Sequence, residues 1–160
     1  VLTNVSGDEV KSADLAEALH TEVPSINIIR RSAINNDIVL RGQKRDNIAV
    51  TVDDAKVYGA CPNRMDPPSS HVLTSNISSV TVSEGPFDVE NFGTLSGSVK
   101  VETLKPKEGF SGDVYLNLGS FNYKKLGASV KGGTQNFKYL FSASTEDSDQ
   151  YEDGNGDTLA

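Results

Sequence analysis

The sequence predicts an α+β fold: a small mixed-sheet unit with short helices, followed by about three antiparallel strands. Three observations lead there. With 36% hydrophobic and 23% charged residues, 14 Gly and no Trp, the composition is that of an ordered, turn-rich, mostly β protein. Up to about Lys105, short apolar runs alternate quickly with tight polar turns. After Pro106 the texture changes to longer stretches of strict alternation.

In chain order, residues 12–20 read as a short helix, with Ser12 as N-cap and Leu15, Ala18 and Leu19 on one face. His20 sits near its end, where a cation suits the C-terminal partial charge, and reads as structural. Pro24 closes that region. Ile26–Arg30, Ile38–Gly42 and Ala49–Val52 are short strand segments, the last turning at Asp53-Asp54. Between Tyr58 and Pro68 the pattern stops, and Pro62, Pro67 and Pro68 make a stiff loop. A second short helix is expected at about Ser70–Asn76, followed by strands through Val80 and Val82 and through Val99 and Val101.

Residues 111–145 hold three alternating stretches. Leu126, Ala128 and Val130 point one way and Lys125, Ser129 and Lys131 the other; Phe137, Tyr139, Phe141 and Ala143 oppose Lys138, Ser142 and Ser144. A transmembrane β-strand needs roughly 9–11 such residues, apolar toward lipid. A soluble antiparallel sheet with one wet face gives the same alternation.

Charge and chemistry narrow the function. A net charge of −7 and a pI near 4.8 oppose nonspecific nucleic-acid binding. The local basic cluster of Arg30, Arg31, Arg41, Lys44 and Arg45 lacks interleaved aromatics and reads as solvated or salt-bridged. One Cys permits no internal disulfide. No apolar run is as long as a transmembrane helix, and an exported chain starting at Val1 would already have lost its signal segment. No Ser-His-Asp or Cys-His arrangement in a credible order points to an enzyme. The acidic stretch Asp147–Asp157 fails as an EF-hand, since Thr158 stands where a Gly is required, and reads as a loop between strands.

Four blocks occur in fixed order: Ile38-Val39-Leu40-Arg41-Gly42, then Ile48-Ala49-Val50-Thr51-Val52-Asp53-Asp54, then Glu84-Gly85-Pro86, then residues 92–103 from Phe92-Gly93-Thr94 to Glu102-Thr103. In order and spacing they resemble the signature of the TonB-dependent outer-membrane receptor plug. The resemblance implies a plug domain over residues 1–105 and, over residues 106–160, the first strands of an incomplete transmembrane β-barrel. It also implies an outer-membrane location with the plug inside the barrel lumen, an energy-coupling TonB protein as partner, and no covalent chemistry. No TonB box is recognisable in Val1–Glu9, so the expectation is that this element was either trimmed or lies upstream. Gly42, Gly85, Gly93 and Gly97 suit positions of positive φ or close backbone approach, and Arg41 reads as an ion-pair partner of the barrel wall.

Within that family, Gly59-Ala60-Cys61-Pro62-Asn63-Arg64-Met65-Asp66-Pro67-Pro68 is similar to the Cys-x-x-x-Met loop of copper-associated receptors of the OprC and NosA type. The only Cys and the only Met of the chain stand four residues apart. Thiolate and thioether are soft donors that favour Cu(I), so Cys61 and Met65 are the candidate metal ligands, with copper as the metal-ion substrate. The competing reading is a thiol packed as a small hydrophobe beside an adaptable Met, but the polar, proline-rich loop offers no apolar face for it. His71 is a further possible ligand. The alternatives are a siderophore or other organometallic receptor of the same family, and a soluble β-rich binding module.

Overall fold

The computed structural model describes residues 2–7, 9–10, 14–31, 35–59, 61, 65–150 and 152–158. The chain divides into two compact units, Val1–Lys105 and Pro106–Ala160.

The helix of the first unit, α1, spans Leu15–Glu22. Its N-cap is Asp14, whose carboxylate accepts the Ala16 N–H at 2.6 Å and the Glu17 N–H at 3.2 Å; two of the four orphan donors of the first turn are thereby satisfied. Ser12, the expected cap, lies outside the described residues. The helix also runs past His20 to Glu22, where the Val23 N–H closes on the Leu19 carbonyl at 2.8 Å. Leu15, Ala16, Ala18 and Leu19 are buried, and each leucine contributes about 2 kcal/mol by leaving water. Asp14 also accepts from the Asn36 side-chain amide. Burial pushes the Asp14 carboxyl above its usual range, and the Asn36 contact partly offsets this.

Strand β1 is Leu2–Ser6, β2 Ile26–Arg30, β3 Asn36–Leu40, β4 Gln43–Lys44, β5 Ile48–Val52, β6 Ala55–Lys56, β7 Ile77–Glu84 and β8 Gly97–Thr103. β2, β3 and β4 form one antiparallel sheet. The two-residue turn between β3 and β4 is Arg41-Gly42, with φ of 52° and 75°, the positive pair that a tight hairpin with native twist requires. The other sheet has the order β1-β7-β8-β5-β6 and is mixed: β5 runs parallel to β8, and every other pair is antiparallel. Its inward positions, Val5, Val50, Val80, Val82, Val99 and Val101, pack with Leu15, Leu19, Ile26 and Leu40 into one core.

Asp53-Asp54 turns β5 into β6 with φ of 46° and 67°. Asp53 also ties the ends of the parallel pair together. Its carboxylate accepts the Thr103 N–H at 2.9 Å and the Thr103 hydroxyl at 2.6 Å, and its own N–H reaches the Val101 carbonyl at 2.9 Å. Those bonds, the hydroxyl's first, hold its carboxyl below the usual range. The four signature glycines, Gly42, Gly85, Gly93 and Gly97, all have positive φ. Gly97, at φ 152°, is the most constrained, because a Cβ there would overlap the Ser83 carbonyl across the β7–β8 pair.

The second expected helix is absent. Over residues 70–76 the chain makes two single 3₁₀ turns instead, Pro68–His71 and Thr74–Asn76, separated by extended backbone at Val72 and Leu73. The reason is local: both the N–H and the hydroxyl of Ser70 bond to the Pro67 carbonyl, at 3.0 and 2.7 Å, which closes a three-residue turn and competes with helical propagation. In the basic cluster, Arg30 forms a two-pronged pair with Glu17 at 2.9 and 3.1 Å, which lowers the Glu17 carboxyl, and Arg31 lies 4.0 Å from Asp37.

The second unit is a three-stranded antiparallel sheet of β9 Gly109–Leu118, β10 Lys124–Gly133 and β11 Lys138–Asp147, in the order β11-β10-β9. The sheet is not closed. Register places Leu116, Leu126 and Thr145 in one row, and Gly112, Val130 and Phe141 in another on the same face. That face is open: Leu126 is 49% and Phe141 71% exposed, whereas Lys125 is 5% and Ser129 4% exposed on the opposite face. Lys125 lies 3.5 Å from Glu146, which also accepts the Tyr123 hydroxyl at 2.6 Å. After β11, Glu152 bridges to Thr158, and Asp153 accepts the N–H groups of Asn155 and Asp157.

Three outcomes are expected. Asp14→Ala removes the cap and strands the buried Asn36 amide, so the urea-unfolding free energy should fall by about 2 kcal/mol. Asp53 and Glu17 have depressed carboxyls, so their stabilisation is full above the unfolded-state values near 4 and is lost as pH falls through the folded ones. Unfolding curves of Asp53→Asn between about pH 5 and 2 should therefore show a shallower acid loss than the parent. Asp14, shifted the other way, opposes this trend. Finally, the open apolar face and unpaired edges should make the chain associate in plain buffer. Sedimentation with and without detergent, on the parent and on a Leu126→Ser, Val130→Ser, Phe141→Ser variant, should show association that the substitutions reduce.

Candidate functional site

The loop that leaves β6 begins with irregular backbone at Val57–Gly59 and ends on Pro67 and Pro68, both buried. Among the described residues between β6 and β7 there is no strand. Ala60, Pro62, Asn63 and Arg64 lie outside them, but both sulfur positions are described. Buried prolines with fixed φ anchor the far end of the loop, so Met65 and Asp66 leave a rigid base.

Cys61 is half-buried and lines a cleft of ≈ 460 Å³ together with Arg45, Ile48, Lys56, Tyr58 and Phe92. Lys56 organises this cleft from the end of β6. Its ammonium donates to the Phe92 carbonyl and lies 5.2 Å from the Tyr58 ring centre and 5.7 Å from that of Phe92, within cation–π range of both. Arg45 occupies the 3₁₀ turn Arg45–Asn47 with φ 61°. Met65 is 67% exposed and is not part of the cleft lining. The structure therefore puts the thiol at a cleft wall and the thioether in solvent. Among the described residues, no group of three or more His, Cys, Asp or Glu is gathered closely enough to hold a metal ion. A soft cation would meet one donor at the cleft and one at the loop surface, and further donors must join them.

His71 closes the 3₁₀ turn after the loop, and its Nε2 lies 2.9 Å from the Asp66 Oδ1. The Ser70 hydroxyl donates to the same oxygen at 3.1 Å. His20 is engaged elsewhere, with its Nδ1–H donated to the Ile26 carbonyl at 2.8 Å. Sequence reasoning named Cys61, Met65 and His71 but missed Lys56, Tyr58, Phe92 and the Asp66 partner. Only the fold brings Phe92 to Lys56. The Asp66–His71 spacing carries no signal of its own, since neither residue belongs to a helix where such spacings have a fixed meaning.

Comparison with known proteins agrees with this architecture. A family model for the TonB-dependent receptor plug domain matches residues 2–98. No curated protein sequence matches the chain. Among solved structures, the chain is similar to the copper transporter OprC at 30% identity and a TM-score of 0.87, covering 99% of this chain and 25% of that one. It is also similar to the siderophore receptor PirA from Acinetobacter baumannii, at 19% identity and a TM-score of 0.72, covering 94% of this chain and 25% of that one. A third is the ferric yersiniabactin uptake receptor FyuA from Yersinia pestis, at 17% identity and a TM-score of 0.68, covering 100% and 26%. The last two establish the fold alone, and the chain spans about a quarter of the length of each of these structures. With more than half of its residues matched by the plug model, the chain belongs to the TonB-dependent receptor plug family, whose members are receptors of the outer membrane and not enzymes.

Proposed function

We propose that this chain is the plug, over residues 1–105, and the first barrel strands, over residues 106–160, of a receptor that takes up copper ions, with Cys61 and Met65 as its capture ligands. The observation that carries this reading is the placement of the only thiol and the only thioether of the chain on one proline-anchored loop, with Cys61 opening onto a cleft. The thiolate supplies an anionic soft donor and the thioether a neutral one; together they favour Cu(I) over harder ions. The solved relative at 30% identity, a copper transporter, supports the same substrate. Uptake then needs a conformational change in the plug, driven by a TonB energy-coupling protein. The lipid-facing side of the barrel strands is the exposed face bearing Leu126, Val130 and Phe141.

One observation favours a second reading, a receptor for a metal chelate. The cleft beside Cys61 has the volume of a small-molecule site and an aromatic and cationic lining. In that case the sulfurs would be incidental to recognition.

The test is Cu(I) affinity of the full-length receptor, measured by competition with a chromophoric chelator. Cys61→Ser should weaken binding by about 100-fold and Met65→Leu by about 10-fold, since only the first removes an anionic ligand. If both variants bind copper like the parent, the chelate reading replaces this one.

A further inference from the structure

We infer a direction and two membrane boundaries for the second unit: its tight connection at residues 134–137 lies on the periplasmic side, and its hydrocarbon-facing band runs from the level of Phe137 to that of Lys124 and Asp147. The inference rests on the reading of residues 106–160 as the first barrel strands and adds to it where the bilayer begins and ends.

The argument starts from where the charges fall. Pairing among β9, β10 and β11 is continuous, so alternate residues keep to one face along the whole sheet. Asp113, Lys125, Lys131, Lys138 and Glu146 all lie on the face opposite the open apolar one. Among the described strand residues of this unit, only Lys124 and Asp147 are charged and share the apolar face. They stand directly across from each other in its last row, beside Leu118. From the row of Phe110, Gly132 and Tyr139 to the row of Leu116, Leu126 and Thr145 the face carries no charge. A lysine turned toward lipid is costly at the midplane and nearly free at the interface, so the Lys124–Asp147 row marks a boundary.

The other end of the face is aromatic. Phe137, Tyr139 and Phe141 form a ladder with ring centres 6.3 and 5.9 Å apart, and Phe110 and Phe137 are open to solvent. Such rings gather where hydrocarbon meets headgroups. The separation of the two ends fits a bilayer. At about 3.4 Å per residue, the chain from Phe137 to Asp147 rises about 34 Å, which at a tilt of about 40° is about 26 Å along the membrane normal, against a band of about 25 Å in outer-membrane barrels.

The connections give the direction. β10 and β11 are joined tightly, with the Thr134 N–H bonded to the Phe137 carbonyl at 2.7 Å. At the charged end the described chain after β11 runs on to residue 158 without another regular strand. Its Asp149 N–H bonds to the Phe121 carbonyl at 2.8 Å, which places it beside the β9–β10 connection. Barrels of this membrane keep short turns on the periplasmic side and longer loops outside. The aromatic end is therefore periplasmic, and the acidic segment after β11 meets the exterior.

Two measurements on the full-length receptor, in a Cys61→Ser background, test this. Spin labels at Ala128→Cys and Ala143→Cys should collide with oxygen far more than with a water-soluble nickel chelate, and labels at Leu118→Cys and Phe137→Cys should show the two reagents near balance. In intact cells, a maleimide too large to cross the outer membrane should modify Asn155→Cys, and should modify Gln135→Cys only once that membrane is opened. If the labels at 128 and 143 lie in lipid but Gln135→Cys is modified in intact cells, the direction is overturned and the barrel reading stands. If the labels at 118 and 137 prove as deep as that at 128, the boundaries are overturned. If the labels at 128 and 143 meet the nickel chelate as freely as one at Asn155→Cys, inference and barrel reading fall together.

Discussion

The parallel pairing of β5 with β8 is the constraint on which the first unit depends. Parallel neighbours cannot be joined by a tight turn, so a long connection must carry the chain from the end of β5 at Val52 to the start of β8 at Gly97. On that excursion it forms β6, the sulfur loop, two 3₁₀ turns and β7, and β7 then pairs with the other side of β8. Both ends of the parallel pair are tied. Asp53 holds Thr103 at one end; at the other, the Ser96 N–H bonds to the Asn47 carbonyl at 2.9 Å and the Gly85 N–H to the Ser96 carbonyl at 2.7 Å. Val99 and Val101, at the centre, are almost wholly buried. The span that carries Cys61 and Met65 thus starts and ends on strands tied into this sheet.

That clamp also determines what surrounds the thiol. Phe92 belongs to the segment returning from β7 to β8, and Lys56 to the short strand leaving β5; they meet only because β5 and β8 are adjacent. The ammonium between Tyr58 and Phe92 gives the cleft a cationic, aromatic wall beside a thiol. Buried Pro67 and Pro68 pin the loop's other end against the core side of β3, where the Ser69 hydroxyl donates to the Asn36 carbonyl at 2.8 Å. Cys61 thus stands beside the Lys56 cleft, and Met65 just before the buried Pro67-Pro68 anchor.

Much of this fold was legible because its signals are local. The Arg41-Gly42 and Asp53-Asp54 turns, the apolar face of α1 and the period-two alternation of residues 111–145 each follow from neighbours within a few positions. The second helix was misread for the opposite reason. Its apolar residues are few, and Ser70 spends its hydroxyl on the Pro67 carbonyl, a competition that periodicity does not register. Asp14 as cap was hidden because its second partner, Asn36, comes from β3. Residue chemistry made Cys61 and Met65 the candidate ligands, but burial that separates a cleft-side thiol from an exposed thioether depends on tertiary position and has no sequence signature.

In the second unit, burial separates two readings between which alternation alone leans slightly toward the soluble sheet. In a soluble sheet with one wet face, the apolar side is covered and the charged side meets water. Here the central strand does the reverse. Lys125 and Ser129 are buried, with Lys125 paired to Glu146, while Leu126 and Val130 on the alternate positions remain open. A buried ammonium is costly unless it is paired and hydrogen-bonded, and this one is paired by a carboxylate that also receives a tyrosine hydroxyl. A sheet that spends its polar contacts on one face and leaves aromatic and aliphatic side chains uncovered on the other has the polarity of a barrel wall, whose outer solvent is hydrocarbon. The same inversion accounts for the choice of side chains along β10: Gly127 and Gly132, on opposite faces, leave room for the Tyr115 and Tyr139 rings, so small residues on this strand let bulky aromatics lie across it without displacing its neighbours.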